Sequence, residues 1–258
     1  MRRIKLVLEY DGTRFFGFQE NAIQGAPTIQ GELEAKLSRL LARPVKTVCA
    51  GRTDAGVHAT GQVVTFDTES DRSLQDLLRG ANALLCEEIR VLSVEEVGRD
   101  FHPRFSARSR IYHYFLAVNR GKEGPFLPHR LWYHRGPLDL ERMQQAADLL
   151  VGSHDFSAYC RGVAPDEPRR RDLRRLEVRA CPVHNTGPFG QLETLIRVEV
   201  EANAFLRRMV RMLVGNLAAV GCGYWDVDEP LRVLESLDPR RSAASAPPHG
   251  LYLVEVIY

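Results

Sequence analysis

The sequence predicts an α/β (α+β) fold of two mixed domains, residues 1–106 and 107–258, whose sheets are expected to join. Three observations lead there. Segments of strand-like residues and segments with apolar positions at helical spacing interleave along the whole chain. An irregular stretch from Gly98 to Ser109 separates two such series. At 258 residues the chain can form one large or two modest domains, burying roughly 70–75% of its unfolded surface.

In the first half, residues 4–10 are strand-like with partial alternation, and Asp11-Gly12 ends them. A polar and aromatic loop runs to Pro27. Thr28 then precedes Ile29, Leu33, Leu37 and Leu40, with Pro44 beyond, which is the spacing of an amphipathic helix of about three turns. Residues 45–50 and 62–67 read as strands, 73–85 as a second helix and 89–97 as a further strand. In the second half, residues 110–118 form a long strand rich in aromatic and β-branched side chains. A loop rich in Gly and Pro leads to Pro137, followed by a helical pattern over 138–151. Residues 173–183 and 192–202 read as two strands separated by a turn at 184–188. The strongest helix covers 205–220, a short one lies near 231–237, and a polar loop to Gly250 leads into a final strand over 251–257. Self-similarity between the halves is too weak to constitute a repeat.

Composition narrows the function classes. No apolar run approaches the roughly 18 residues that span a membrane, and residues 1–5 lead into an alternating segment rather than a signal sequence, so a cytoplasmic protein is expected. Five cysteines without a C-x-x-C pair fit reduced thiols, and the eight histidines show no ligand spacing, so no metal is expected. There is no P-loop. Net charge is only +2, yet lysine appears only at Lys5, Lys36, Lys46 and Lys122, and arginine carries nearly all the positive charge. Arginine grips phosphate bidentately and stacks on bases. It clusters at 169–175, and Arg104, Arg108 and Arg110 punctuate an aromatic stretch; either cluster can be a solvated face, but together they make nucleic acid the leading partner class.

The densest chemistry lies in Gly51-Arg52-Thr53-Asp54-Ala55-Gly56-Val57-His58-Ala59, where a carboxylate, an arginine and a histidine sit among glycines and alanines. Glycine permits φ > 0 or a close backbone approach, and the small alanines leave space beside Asp54 for something flat. A capped hairpin turn is the competing reading. His58 as a general base competes with a structural histidine. On the 205–220 helix, Arg207, Arg211, Gly215 and Ala218 fall along one face, either a surface arginine pair or guanidinium groups directed into a gap where the helix approaches backbone or ligand. Tyr112 and Tyr114 share one face of their strand and His113 takes the other; the pair can pack a core or stack bases.

The motif resembles the active-site segment of the TruA-type tRNA pseudouridine synthases, with Asp54 at the place of the nucleophilic aspartate. The similarity extends through Tyr10-Asp11-Gly12-Thr13, Gly17-Phe18-Gln19, Thr28-Ile29-Gln30 and Ser106-Ala107-Arg108 leading to Tyr112. It continues in Asp155-Phe156-Ser157, Asn203-Ala204-Phe205, the run from Met209 to Gly215, and Gly250-Leu251-Tyr252-Leu253. Phe18 stands where the family often has tryptophan and Tyr159 where it has phenylalanine; the arginines at 169–175 are less standard. The resemblance implies the pseudouridine synthase fold, with antiparallel-rich sheets joined around a central cleft, and isomerisation of uridine to pseudouridine at positions 38, 39 and 40 of the tRNA anticodon arm. It further implies no cofactor and a homodimer, its surface in the second domain. By the same resemblance Asp54 is the nucleophile, Arg211 its ion-pair partner and Arg52 the base-flipping residue, while Tyr112 stacks on the uracil and Leu251 closes the apolar side. Two other readings share these features: a non-catalytic RNA-binding module, and a hydrolase using Asp54 and His58, which lacks an oxyanion-hole pattern.

Overall fold

Alternation of Ile4, Leu6, Leu8 and Tyr10 with more exposed neighbours produces strand β1 (Arg2–Tyr10), in which those four side chains are buried. The computed structural model describes residues 1–19, 25–118, 129–164, 166–182 and 194–258. After β1 come α1 (Ile29–Leu41), β2 (Val48–Cys49), β3 (His58–Thr68), α2 (Leu74–Leu84) and β4 (Ile89–Val97). There follow β5 (Ser109–Val118), β6 (Trp132–His134), α3 (Leu140–Asp148), β7 (Gly152–Asp155), β8 (Arg170–Cys181) and β9 (Thr194–Ala202). Helices α4 (Met209–Gly221) and α5 (Glu229–Ser236) lead to the closing strand β10 (Leu251–Ile257). The chain divides into two units, Met1–Arg108 with Tyr252–Tyr258, and Ser109–Leu251, so most of β10 returns to the first unit.

In the first unit β1 lies between β4 and β3, antiparallel to both, β2 adds to β3, and Tyr252 and Leu253 of β10 pair with His58 and Ala59 in parallel. The apolar stripe predicted for the first helix forms: Ile29, Leu33 and Leu37 are buried, and Thr28 caps the helix by accepting from the Gly31 N–H at 3.1 Å. On α2 Leu77 and Ala81 are buried, and Gly80 lets α2 approach α1, since a Cβ there would lie 2.5 Å from Leu40.

In the second unit β5, β9, β8 and β7 form an antiparallel sheet in that order, and β6 adds in parallel to β5. Helix α3 packs on β8 and against α4. Only Arg211 and Ala219 of α4 escape burial, so this helix is apolar nearly all round, as a core helix must be.

Several boundaries differ from those the sequence predicts. The 205–220 helix begins at Met209, because Arg208 adopts left-handed backbone at φ 65° and residues before it form a turn. Arg207 therefore precedes the helix and does not share a helical face with Arg211. The 62–67 strand starts earlier, at His58, while the 45–50 strand shrinks to two residues. The 173–183 strand begins at Arg170 and so absorbs most of the basic run. Strand β6 is an addition inside a segment read as loop, and β7 one in the stretch after the 138–151 helix, where the sequence predicts no element. The turn at 184–188, the ends of the strands beside it, and parts of the loops before Pro27 and Pro137 lie outside the described residues. Among the described residues no helix is long and apolar enough to cross a membrane.

Candidate active site

In the first unit, residues 53–57 make a tight turn closed by the Val57 N–H on the Asp54 carbonyl at 3.2 Å, with Gly56 at φ 75°. Glycine takes that left-handed position without steric cost. A second loop, leaving β1 through the 3-10 turn Gly12–Arg14, cradles the first. Phe18 N–H donates to the Thr53 carbonyl at 3.0 Å, and Gly56 N–H to the Phe15 carbonyl at 3.4 Å. Gly17, at φ 97°, lies so close that a Cβ there would sit 2.9 Å from the Thr53 oxygen and 3.5 Å from the Asp54 carbonyl carbon. At Gly12 the Cβ position is already occupied by the Val57 carbonyl.

Buried side chains complete the scaffold. Tyr10 and Thr53 hydroxyls share a hydrogen bond of 2.8 Å, and Gln62, buried in β3, donates to the Gly51 carbonyl at 2.7 Å. The residues on either side of Arg52 are thus fixed to the sheet, while Arg52 is exposed and Asp54 half-buried. The same arrangement keeps the Cys49 thiol reluctant to ionise: burial pushes it up, and the guanidinium groups of Arg52 and Arg104 oppose that.

His58 does not present itself as a base. It is 1% exposed, its ring stacks on Tyr252 at 4.7 Å, and its Nδ1 accepts the Gly12 N–H at 3.0 Å. Asp11 Oδ1 lies 3.1 Å from the same nitrogen, but one ring nitrogen cannot accept from Gly12 and donate to Asp11 together. We assign the acceptor role, because that carboxylate oxygen already takes the Thr13 N–H at 3.0 Å and hydroxyl at 2.6 Å. His58 therefore ties the β1 loop to the end of the Asp54 turn.

In the second unit Tyr112 and Tyr114 are both buried on one face of β5, and His113 on the other meets Glu199 at 3.2 Å. The Tyr112 ring meets Phe205 edge-on, centroids 5.1 Å apart. Tyr114 donates its hydroxyl to the Pro247 carbonyl at 2.8 Å; burial pushes its phenol far up, with the Arg211 guanidinium opposing. Arg211, half-buried in the first turn of α4, donates from Nε to the Ala246 carbonyl at 2.7 Å, and Ala246 N–H returns a bond to the Arg211 carbonyl at 3.0 Å. One turn on, the Cβ position of Gly215 is taken by the Ala244 carbonyl, so this helix face does approach backbone closely. Leu251 is buried and follows Gly250, whose Cβ would lie 2.7 Å from the Tyr114 ring. Arg211 acts electrostatically on Tyr114, and Gly250, just before β10, packs on its ring; the sequence marks Tyr114 only as Tyr112's neighbour.

The structure places Asp54 and Arg52 in the first unit and Tyr112, Arg211 and Leu251 in the second. Four arginines of the basic run bond within the second unit. Arg170 bonds the Ser153 carbonyl at 3.0 Å, Arg171 meets Glu167 at 3.4 Å and Arg174 meets Asp172 at 3.1 Å. Arg175 bridges Glu199 and Glu201. Arg110 is buried and donates to the Asn203 carbonyl at 2.7 Å, a structural role. Among the described residues no cluster of three or more His, Cys, Asp or Glu side chains could hold a metal ion.

Comparison with known proteins covers both units. The tRNA pseudouridine synthase family model matches residues 6–106 and 146–258. A protein named tRNA pseudouridine synthase A from Thermosipho africanus is 40% identical over 262 aligned residues, covering all of both chains. Another of that name from Thermotoga sp. strain RQ2 is 39% identical with the same coverage. Among solved structures there is a likeness to an archaeal box H/ACA sRNP Nop10–Cbf5 complex, at 13% identity and TM-score 0.35, covering 83% of this chain and 44% of that one. With the family model matching most of the sequence and relatives aligning end to end, the chain belongs to the tRNA pseudouridine synthase family, a group of isomerases.

Proposed function

We propose that this pseudouridine synthase acts on the tRNA anticodon arm, converting uridine at positions 38, 39 and 40, with Asp54 as its nucleophile. The observation that carries the reading is the construction around Asp54. Residues 51, 53, 56 and 57 are each tied by hydrogen bonds to neighbouring backbone or buried side chains, while the Asp54 carboxylate itself is only half-buried. A carboxylate held this way is pre-positioned, so the ordering cost is met before substrate arrives.

The isomerisation breaks the bond from uracil N1 to ribose C1′ and makes a bond from C5 to C1′, while C5 gives up its proton and N1 takes one up, so atoms balance without a cofactor. The target uridine must leave its stack, at a cost of a few kcal/mol. Arg52, exposed between two fixed residues, is suited to enter the vacated space or hold the adjacent phosphate. Tyr112 stacks on the flipped uracil and Leu251 closes the apolar side. Closing the site removes water from Asp54, which disfavours the anion; a guanidinium at about 4 Å offsets this by roughly 4 kcal/mol at an effective dielectric near 20. Arg211 is assigned that role: its Nε is committed to Ala246, which fixes the guanidinium plane. In this reading the enzyme is a cytoplasmic homodimer.

The test is conversion of uridine in unmodified anticodon-arm transcripts, with no added metal or nucleotide, and the modified positions mapped. Pseudouridine at 38, 39 or 40 is expected; conversion only elsewhere in tRNA would overturn the site assignment.

A further inference from the structure

Residues 98–106 of the first unit form a loop whose internal bonding has no bearing on the steps above. His102 organises it. Its Nδ1 accepts the N–H groups of both Arg104 (3.1 Å) and Phe105 (3.2 Å), its own N–H donates to Ser106 Oγ at 3.0 Å, and its carbonyl accepts the Ser106 N–H at 2.9 Å. The loop is also tied down from outside. Tyr258 donates its hydroxyl to the Pro103 carbonyl at 2.9 Å, and Arg3 donates to the carbonyls of Arg99 and Phe101 at 2.7 and 3.0 Å.

The product of all this bonding is an outward phenylalanine. Phe105 is 76% exposed at the loop tip. Single exposed apolar residues are ordinary on protein surfaces and need no function. Phe105 differs in its company: the Arg104 guanidinium lies over its ring, 5.6 Å from the centroid, and the His102 ring lies 4.4 Å away at 33°. Two acceptor bonds at Nδ1 leave the His102 proton on Nε2, so a neutral donor sits beside the ring as well. Arg104 also acts electrostatically, together with Arg52, on the buried Cys49 thiol. A rigid aromatic face with a cation beside it is the surface that accepts an unstacked base while holding the adjoining phosphate.

We propose that Phe105, with Arg104 and His102, is a stacking platform for a second, non-reacting nucleotide of the tRNA substrate. The proposal takes its ligand from the tRNA pseudouridine synthase assignment and adds a contact outside the proposed reaction centre. One base stacked on an aromatic ring contributes about 1–3 kcal/mol, which corresponds to roughly a 5- to 150-fold change in affinity.

The test compares dissociation constants of an unmodified tRNA transcript for wild type, Phe105→Ala, Phe105→Leu, Phe105→Tyr and Arg104→Ala over a salt series. Phe105→Ala and Phe105→Leu are expected to weaken binding within that range, with Phe105→Tyr staying within about twofold of wild type. The salt slope should be unchanged for Phe105→Ala and should fall by nearly one for Arg104→Ala. An affinity within about twofold of wild type for Phe105→Ala would overturn the proposal, and so would wild-type binding by Phe105→Leu, which would show a need for bulk and not for a ring. Unchanged RNA affinity with a change in sedimentation of the RNA-free Phe105→Ala protein would overturn it too, assigning the ring to a second copy of the chain. Uridine conversion followed in parallel keeps the two claims apart: its absence in wild type strikes the proposed reaction, while the affinity series alone decides the platform.

Discussion

Asp54 owes its setting to scaffold residues around its turn. Gly17 is the clearest, since alanine there would need a left-handed backbone and would press on the Thr53 carbonyl. Gly17→Ala is expected to cost about 1–3 kcal/mol of stability and to lower single-turnover conversion at temperatures where the protein stays folded, as read by thermal melts and rapid-quench assays. The role proposed for Arg211 gives a second prediction. Arg211→Ala should reduce the conversion rate severely with a smaller effect on tRNA affinity, and Arg211→Lys should recover little, because lysine lacks the planar fork that bonds Ala246 and presents the rest of the guanidinium. Single-turnover rates at saturating enzyme separate the two effects. At this scale the nine-residue motif was legible as a dense turn, either a site or a capped hairpin, and Gly56 as a position open to left-handed backbone. The partners that make it rigid were not: Gln62 reads as an ordinary strand residue, and the bond from Tyr10 to Thr53 spans 43 residues. His58 stood open between base and strut until its burial and its bond to Gly12 decided it.

Elements hold the motif in place through a few polar anchors. Glu34 on α1, buried, accepts from the Thr47 N–H at 2.8 Å and hydroxyl at 3.0 Å and from Lys46 at 3.0 Å, which fixes the chain just before β2 and the turn. Burial alone would raise its carboxyl, but the hydrogen bonds from Thr47, Lys46 and Gln30 win and hold it below the usual glutamate range. The unfolded chain therefore binds the proton more readily, and this contribution is complete above about pH 4.3 and lost as pH falls through the lower folded value. Glu34→Gln should lower the melting temperature at pH 7, and the gap from wild type should close as pH drops below 4. Long periodic elements such as α1, α2, β1, β4 and β5 were readable because their apolar positions recur often enough to fix a period. β6 and β7 were not, since Trp132–His134 and Gly152–Asp155 are too short to show one. The late start of α4 was hidden because Phe205 and Leu206 continue the apolar pattern, and the left-handed backbone at Arg208 has no sequence signal in an arginine.

Across the molecule, a net charge of +2 leaves RNA affinity to the placement of arginines rather than to their number. Four arginines of the 169–175 run, the most basic stretch by sequence, bond carboxylates and carbonyls of their own unit, and the exposed pair Arg174–Asp172 is of small energetic worth. Arg104 and Arg52, from separate stretches of the sequence, both act electrostatically on Cys49. The family match extends through both units. The most direct test is Asp54→Asn, a substitution that keeps shape and the backbone bonds of the turn while removing the charge. Measured with anticodon-arm tRNA at saturating enzyme, it is predicted to abolish pseudouridine formation while tRNA affinity stays within a few-fold of wild type. Conversion at the wild-type rate would contradict Asp54 as the nucleophile, and parallel loss of binding would reduce it to a structural residue.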